Sequence, residues 1–219
     1  MAAILWTGQN EHLPVMANVS TPDECLFIID AGHGGEDGGA VSNDGTAESG
    51  INLEIALRFR DMMLFFGQKT AMIRSEDISI STPGLATFRQ RKASDLKNRV
   101  EFVNSHEDAI LISIHQNSLP SVPSVHGAQV FYNTKSGAQD LAERMQDTLN
   151  LTINQTNEKP AMQIPDSIYL MKHSKAPAVL VECGFLSNTA ETAMLKRSSH
   201  QLRIAASILS GILMKPERI

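Results

Sequence analysis

Residues 26–39 read LFIIDAGHGGEDGG, and this stretch decides the fold. Leu26 to Asp30 is a short, unbroken apolar run closed by an acid, the pattern of a strand covered on both faces. The glycines that follow let the backbone turn sharply and leave room for a ligand to come close to His33. Beyond the turn, Ile51, Ile55, Phe59, Met62, Met63 and Phe66 recur on one helical face, and Gly67 stops the helix. Strand, glycine-rich turn and helix together open an α/β unit.

The pattern repeats along the chain. Lys69 to Arg74 predicts a second strand, and residues 75–91, with Pro83-Gly84, predict a long loop. Ser94 is the expected N-cap of a helix running to about Asn104. Further strands are expected at Ala109 to His115, Gln129 to Tyr132, Ile168 to Met171 and Ala178 to Cys183, with a loop-like stretch from Leu151 to Asp166. Helices are expected from about Gly137 to Leu149 and from Ser199 to Met214. Strands alternating with helices imply a single α/β domain, a mostly parallel or mixed twisted sheet of about six strands flanked by helices on both faces. Residues 25–219 make up that domain. Residues 1–24, with Pro14, Pro22 and no clear period, read as a leader or linker outside the core.

Bulk properties narrow the function. The 219 residues are 42% hydrophobic and 20% charged, enough to bury a substantial core. A formal net charge of -5 argues against a nucleic-acid surface. The one basic cluster, Arg89, Arg91, Lys92, Lys97 and Arg99, is interrupted by apolar and acidic residues and suits a solvated face or a small anionic rim. Cys25 and Cys183 are expected at opposite sheet edges, too far apart to pair. No stretch approaches the roughly 18 apolar residues of a membrane span. Residues 1–24 lack the marks of a signal peptide, so an exported protein without its export segment and a cytosolic protein both stay open.

Four acid and imidazole positions carry the chemistry. His33, His115 and Glu182 each follow an apolar run, and Glu48 opens a helix. Ligands of such sheets collect beyond the carboxyl ends of the strands, where three of these residues fall. Two imidazoles, one carboxylate and a spare carboxylate are the parts of a hydrolytic site for one zinc ion. Glu48 also suits the positive end of a helix dipole, and the two roles are compatible. Glu182 ends a buried strand, where an unpaired carboxylate is costly and a nearby dication would serve as partner. If Glu182 points into the site, Cys183 points away. Glu182 outside the metal shell would take the proton of an attacking water and pass it to a leaving amine. Arg99 is either an ion-paired residue or a substrate contact, and Asn117 is a candidate rim donor to substrate. His12, His106, His126, His173 and His200 are read as ordinary structural histidines.

The strings IIDAGHGGEDGGA, the Glu48 turn before INLEIALRF, LKNRVEFVN, AILISIHQNS, GAQVFY and PAVLVECGFLSN resemble, in order, the zinc-dependent N-acetylmuramoyl-L-alanine amidases of the type 3 family. The resemblance spans about residues 26–214. It implies zinc ligands at His33, Glu48 and His115, a catalytic Glu182, and cleavage of the amide between N-acetylmuramic acid and L-alanine of peptidoglycan. FRQRKASDLKNRVEFVN and DSIYLMKHSKAPAVLVECGFLSN further resemble the sporulation branch of that family. That branch implies an extracytoplasmic enzyme of the spore cortex, a peptidoglycan deacetylase using its product to form muramic-δ-lactam, and an accessory lipoprotein. Gln116 departs from the family by standing where a small residue is common, which predicts an altered rim. The short span from His115 to Gln129 leaves no room for the inhibitory helix of cell-division amidases. The alternatives are a general wall autolysin, a zinc peptidase acting on free peptides, and a wall-binding module without activity.

Overall fold

In the computed structural model, which describes residues 25–214, the opening apolar run forms β1 (Leu26–Ala31). It pairs in parallel with β2 (Thr70–Met72) on one side and β3 (Ala109–Asn117) on the other. β3 pairs in parallel with β6 (Ala178–Phe185), and β4 (Gln129–Tyr132) runs antiparallel to β6. A two-residue strand, β5 (Met162–Gln163), closes the order β2-β1-β3-β6-β4-β5. The expected six-stranded mixed sheet is therefore present. The expected leader at residues 1–24 lies outside the described residues.

Helices α1 (Glu48–Phe65), α3 (Ala138–Leu149) and α6 (Ser198–Leu213) cover one face, and α2 (Phe88–Asn104) and α4 (Tyr169–His173) cover the other. The period-2 alternation of the strands sorts the residues between these faces. Ile29, Ile112, Val179 and Val181 pack beneath α1, α3 and α6, whereas Ile28, Leu111 and Leu180 pack beneath α2 and α4. Two residues further along each strand, Asp30, Ser113 and Glu182 inherit the α2/α4 face, and so does His115. This parity positions the site.

α1 behaves as its sequence predicts along most of its length. Ile51, Ile55, Phe59 and Met63 are buried, each worth about 1.5–3 kcal/mol for full removal from water. The Gly67 N–H donates to Leu64 O and the Gln68 N–H to Met63 O, with Gly67 at φ +74°. That is a Schellman closure, which satisfies the last carbonyls of the helix. Phe66, the C-cap inside this closure, is exposed.

Three local expectations are corrected. Ile168 to Met171 is not a strand: α4 begins at Tyr169, with the adjacent Leu170 and Met171 buried and Ile168 and Tyr169 exposed. A strand would bury alternate residues, and a short apolar run cannot separate the two cases by period. α2 starts at Phe88 rather than after Ser94, because Thr87 and Gln90 form a reciprocal capping box. Ser94 instead bonds Thr82 from within the helix. Cys25 and Cys183 are both free, as expected, but Cys25 directly precedes β1 and Cys183 lies in β6, both interior strands rather than opposite edges. The short α5 (Thr189–Leu195), capped by Asn188 on the Glu191 N–H, was not anticipated.

Arg99 ties α2 to the sheet. It is 2% exposed, with Nε donating to Asp95 at 2.6 Å and a terminal nitrogen donating to Asp30 at 2.5 Å. Ser113 donates to the other Asp30 oxygen at 2.6 Å. Burial raises the pKa of Asp30, but the charges of Arg99 and His115 and the hydrogen bonds from Ser113 and Arg99 together outweigh it and hold the carboxyl below its ordinary value. Removing one partner of such a pair strands a buried charge. Arg99→Met should therefore cost about 3–5 kcal/mol, seen as a lowered midpoint in urea denaturation.

Candidate active site

The loop after β1 carries His33 in a left-handed conformation, φ +61°, which a non-glycine residue adopts only when its surroundings impose it. Two guanidinium groups do so. Arg74 donates to Ala31 O (2.7 Å), Gly32 O (2.9 Å) and Ser49 O (2.9 Å). Arg99 donates to Ala31 O (3.1 Å) and His33 O (2.6 Å). His33 Nδ1 lies 2.9 Å from Asp37 Oδ2, and Lys92 Nζ braces the same carboxylate oxygen at 3.1 Å. With its Nδ1–H given to Asp37, the imidazole presents Nε2 as a free lone pair.

Glu48 is the first residue of α1. Its N–H and that of Ser49 donate to Ala40 O and Gly38 O, so the loop itself caps the helix. The carboxylate is 3% exposed and accepts from the Ala40 N–H at 2.9 Å. It sits between two imidazoles: Oε2 is 3.3 Å from His33 Nε2 and Oε1 is 2.8 Å from His115 Nδ1. Burial favours the neutral acid, but the His115 hydrogen bond and the charges of both histidines lower the carboxyl to about 2. Burial likewise opposes charge on His115, and Glu48, with Glu182 and Asp30 behind it, holds that imidazole above its ordinary value.

One ligand atom from each of His33, Glu48 and His115 lies within 4.8 Å of the others. Two nitrogens and one oxygen are a donor set that suits zinc. The glycines beside them leave no room for a side chain of their own. A Cβ on Gly32 would overlap the His115 ring, and one on Gly39 would meet Glu48 and His33. The residues present therefore fit the expected metal.

Glu182 is the register partner of His115 across the β3–β6 ladder. Its Oε2 is buried with no hydrogen-bond partner among the described residues. Burial pushes the Glu182 carboxyl up to about 7; His115 opposes this and Glu48 adds to it. Cys183, next in the chain, points into the opposite core and is fully buried, and burial raises its pKa too. A cavity of about 340 Å³ opens over the site, walled by Lys92, Leu96 and Arg99 of α2, by Ile168 and Tyr169, and by Glu182.

The remaining sequence candidates fall as follows. Arg99 borders the cavity, but its donors are committed to Asp30, Asp95 and two loop carbonyls, as in a buried ion pair. Asn117 ends β3, half-buried, with Oδ1 accepting from the Ser118 N–H at 2.7 Å. Gln116 borders the cavity but is 3% exposed, and its side chain bonds Asn52 beneath Glu48. Asp37 and Arg74 were missed. Asp37 is four residues from His33 in the same glycine-rich loop, a signal that could have found it, whereas Arg74 ends a strand candidate with nothing local to mark its role. The connection between β3 and β4 holds no helix, as its length predicts.

Fold and site define the class: an enzyme of mixed α/β architecture with a two-histidine, one-carboxylate cluster and a buried spare carboxylate beside it. The chain belongs to the N-acetylmuramoyl-L-alanine amidase family, whose model matches residues 27–214. It is 39% identical over 189 residues to the germination-specific N-acetylmuramoyl-L-alanine amidase of Bacillus subtilis (strain 168), covering 86% of this chain and 78% of that one. It is 32% identical to the amidase LytC of the same organism over 86% of this chain, but spans only 34% of that protein. Among solved structures, the CwlD amidase of Clostridioides difficile, in complex with the GerS lipoprotein, superposes with a TM-score of 0.81 at 36% identity. That match covers 85% of this chain and 95% of the other. The protein is an N-acetylmuramoyl-L-alanine amidase, an enzyme of peptidoglycan.

A cation entering the cluster must displace the proton that His115 shares with Glu48. Because that proton is held above the ordinary histidine pKa, zinc affinity should fall as pH drops through the titration of His115. Calorimetry in two buffers of different ionisation enthalpy should show proton release on zinc binding near neutral pH, and none in His115→Ala.

Proposed function

We propose that this amidase uses one zinc ion, held by His33, Glu48 and His115, to hydrolyse the amide between the lactyl group of N-acetylmuramic acid and L-alanine. The catalytic domain is residues 25–219. The observation that carries the reading is Glu182, a buried carboxylate with an unpartnered oxygen beside the three-donor cluster. When bound, the metal supplies Lewis-acid polarisation of the scissile carbonyl and acidifies water. Glu182 takes the proton of the attacking water and delivers it to the departing alanine nitrogen. A carboxyl near 7 serves both halves of that transfer, since it neither holds nor refuses a proton strongly at neutral pH. Asp37 keeps His33 in the ligating tautomer. Arg99, with Arg74, holds the His33 loop rather than the substrate, and Asn117 at the end of β3 is the rim donor to the substrate.

We further propose that the substrate is spore-cortex peptidoglycan, on the extracytoplasmic side, and that stem-peptide removal is the step before muramic-δ-lactam formation by a deacetylase. The similarity to a germination-specific amidase supports this reading. The complex of the CwlD amidase with a lipoprotein supports an accessory lipoprotein as partner here. A vegetative-wall autolysin is the second reading, favoured by the LytC match.

Mass analysis of muropeptides decides between these readings. Incubation with cortex peptidoglycan should release stem peptides beginning at L-alanine, at a higher rate than from vegetative wall. Cuts confined to the peptide would sink the amidase assignment for this site, and a preference for vegetative wall would sink the cortex role. In the same assay Glu182→Gln should bind zinc normally but lose about 10²–10⁴-fold in turnover.

A further inference from the structure

Glu48 is held from beneath by two amide side chains that the reaction does not use. Asn52 follows Glu48 by one turn of α1 and is fully buried. Its Nδ2 donates to Glu48 Oε1 at 3.1 Å and to Gly32 O at 3.2 Å. Its Oδ1 accepts from Gln116 Nε2 at 3.1 Å. The Gln116 backbone N–H reaches Glu48 Oε1 as well, also at 3.1 Å.

An amide side chain has one donor end and one acceptor end. By donating to Oδ1, Gln116 reinforces the orientation in which the Asn52 NH₂ faces the carboxylate and holds the Asn52 side chain in place. The reversed amide would set an oxygen against Glu48 Oε1 and against the Gly32 carbonyl, both acceptors. Gln116 does this at a cost. It is 3% exposed, and its Oε1 has no hydrogen-bond partner among the described residues. An apolar side chain of similar size would remove that unpaired atom but would leave the buried Asn52 Oδ1 unpaired in its place. The amide at position 116 is explained by its Nε2 contact to Asn52.

We propose that Gln116 is a positioning residue for the metal site: through Asn52 it fixes the orientation of the Glu48 carboxylate and so tightens zinc binding. The inference rests on His33, Glu48 and His115 being the metal ligands. Groups that orient a ligand from outside its coordination shell typically change metal affinity by 10–100-fold.

The test is zinc affinity of the whole chain, measured by competition with a chromophoric chelator, alongside urea denaturation of the metal-free proteins. Gln116→Met, close in volume but without a donor, should weaken zinc binding by about 10-fold or more while metal-free stability changes little, since an unpaired Asn52 Oδ1 replaces the unpaired Gln116 Oε1. Gln116→Leu should behave alike. In an Asn52→Ala background, Gln116→Met should have no further effect, because the residue through which it acts is gone. Unchanged affinity in both Gln116 variants overturns the proposal. So does an equal loss with Asn52 absent, or a loss of affinity matched by a loss of metal-free stability, which assigns Gln116 to packing. If the wild-type chain itself binds no zinc, the ligand assignment falls and this inference with it; if the wild type binds zinc and the variants equal it, only the inference falls.

Discussion

The buried guanidinium of Arg99 is the interaction on which the rest of the site depends. An arginine removed from water is tolerated only when its donors are met, and here Asp30, Asp95 and two loop carbonyls meet them. The consequence reaches in two directions. Toward the fold, the pair joins α2 to β1 and, through Ser113, to β3. Toward the chemistry, the same fork holds the carbonyls of residues 31 and 33, and Arg74 holds 31 and 32 from the other side. His33 can then occupy a strained left-handed conformation without the loop relaxing away from the site.

Electrostatic opposition is the second organising principle. Three carboxylates, Asp30, Glu48 and Glu182, gather on or near the carboxyl ends of three adjacent strands, facing two imidazoles. Glu48 is held ionised and Glu182 is held toward its neutral form, although both are buried. Glu48 has direct hydrogen-bond donors on both oxygens, whereas one Glu182 oxygen has none. Two neighbouring carboxyls pushed apart in pKa suit the proposed roles of ligand and base. Cys183 is removed from the contest by strand parity, which turns it into the core beneath α1.

Much of this was legible in the chain. Continuous apolar runs at 26–30, 109–115 and 178–183 read as buried strands, and the 3.6-residue period of α1 and its glycine stop were visible directly. The zinc-type parts were visible too, because an acid or imidazole directly after a buried strand has few structural uses. Local ambiguity explains the errors. The run at 168–171 is too short for its period to distinguish strand from helix, and the box at Thr87 and Gln90 competed with a plausible cap at Ser94. The residue type of Gln116 carries no sign of the face its side chain occupies, toward Asn52 beneath Glu48.

The sequence by itself determined most of the element types, the parity of the central strands and the four acid and imidazole side chains that the fold gathers, since these depend on residue chemistry and short-range spacing. Only the tertiary structure decided which groups meet. Arg99 bonds a carboxylate 69 residues away, and the Gln116 side chain bonds an amide 64 residues away. Such contacts depend on strand register and on the height at which a helix packs, and no local pattern encodes either. Hydrogen-bond direction, which end of Asn52 faces Glu48 and which nitrogen of His33 stays free, exists only once those partners are in place.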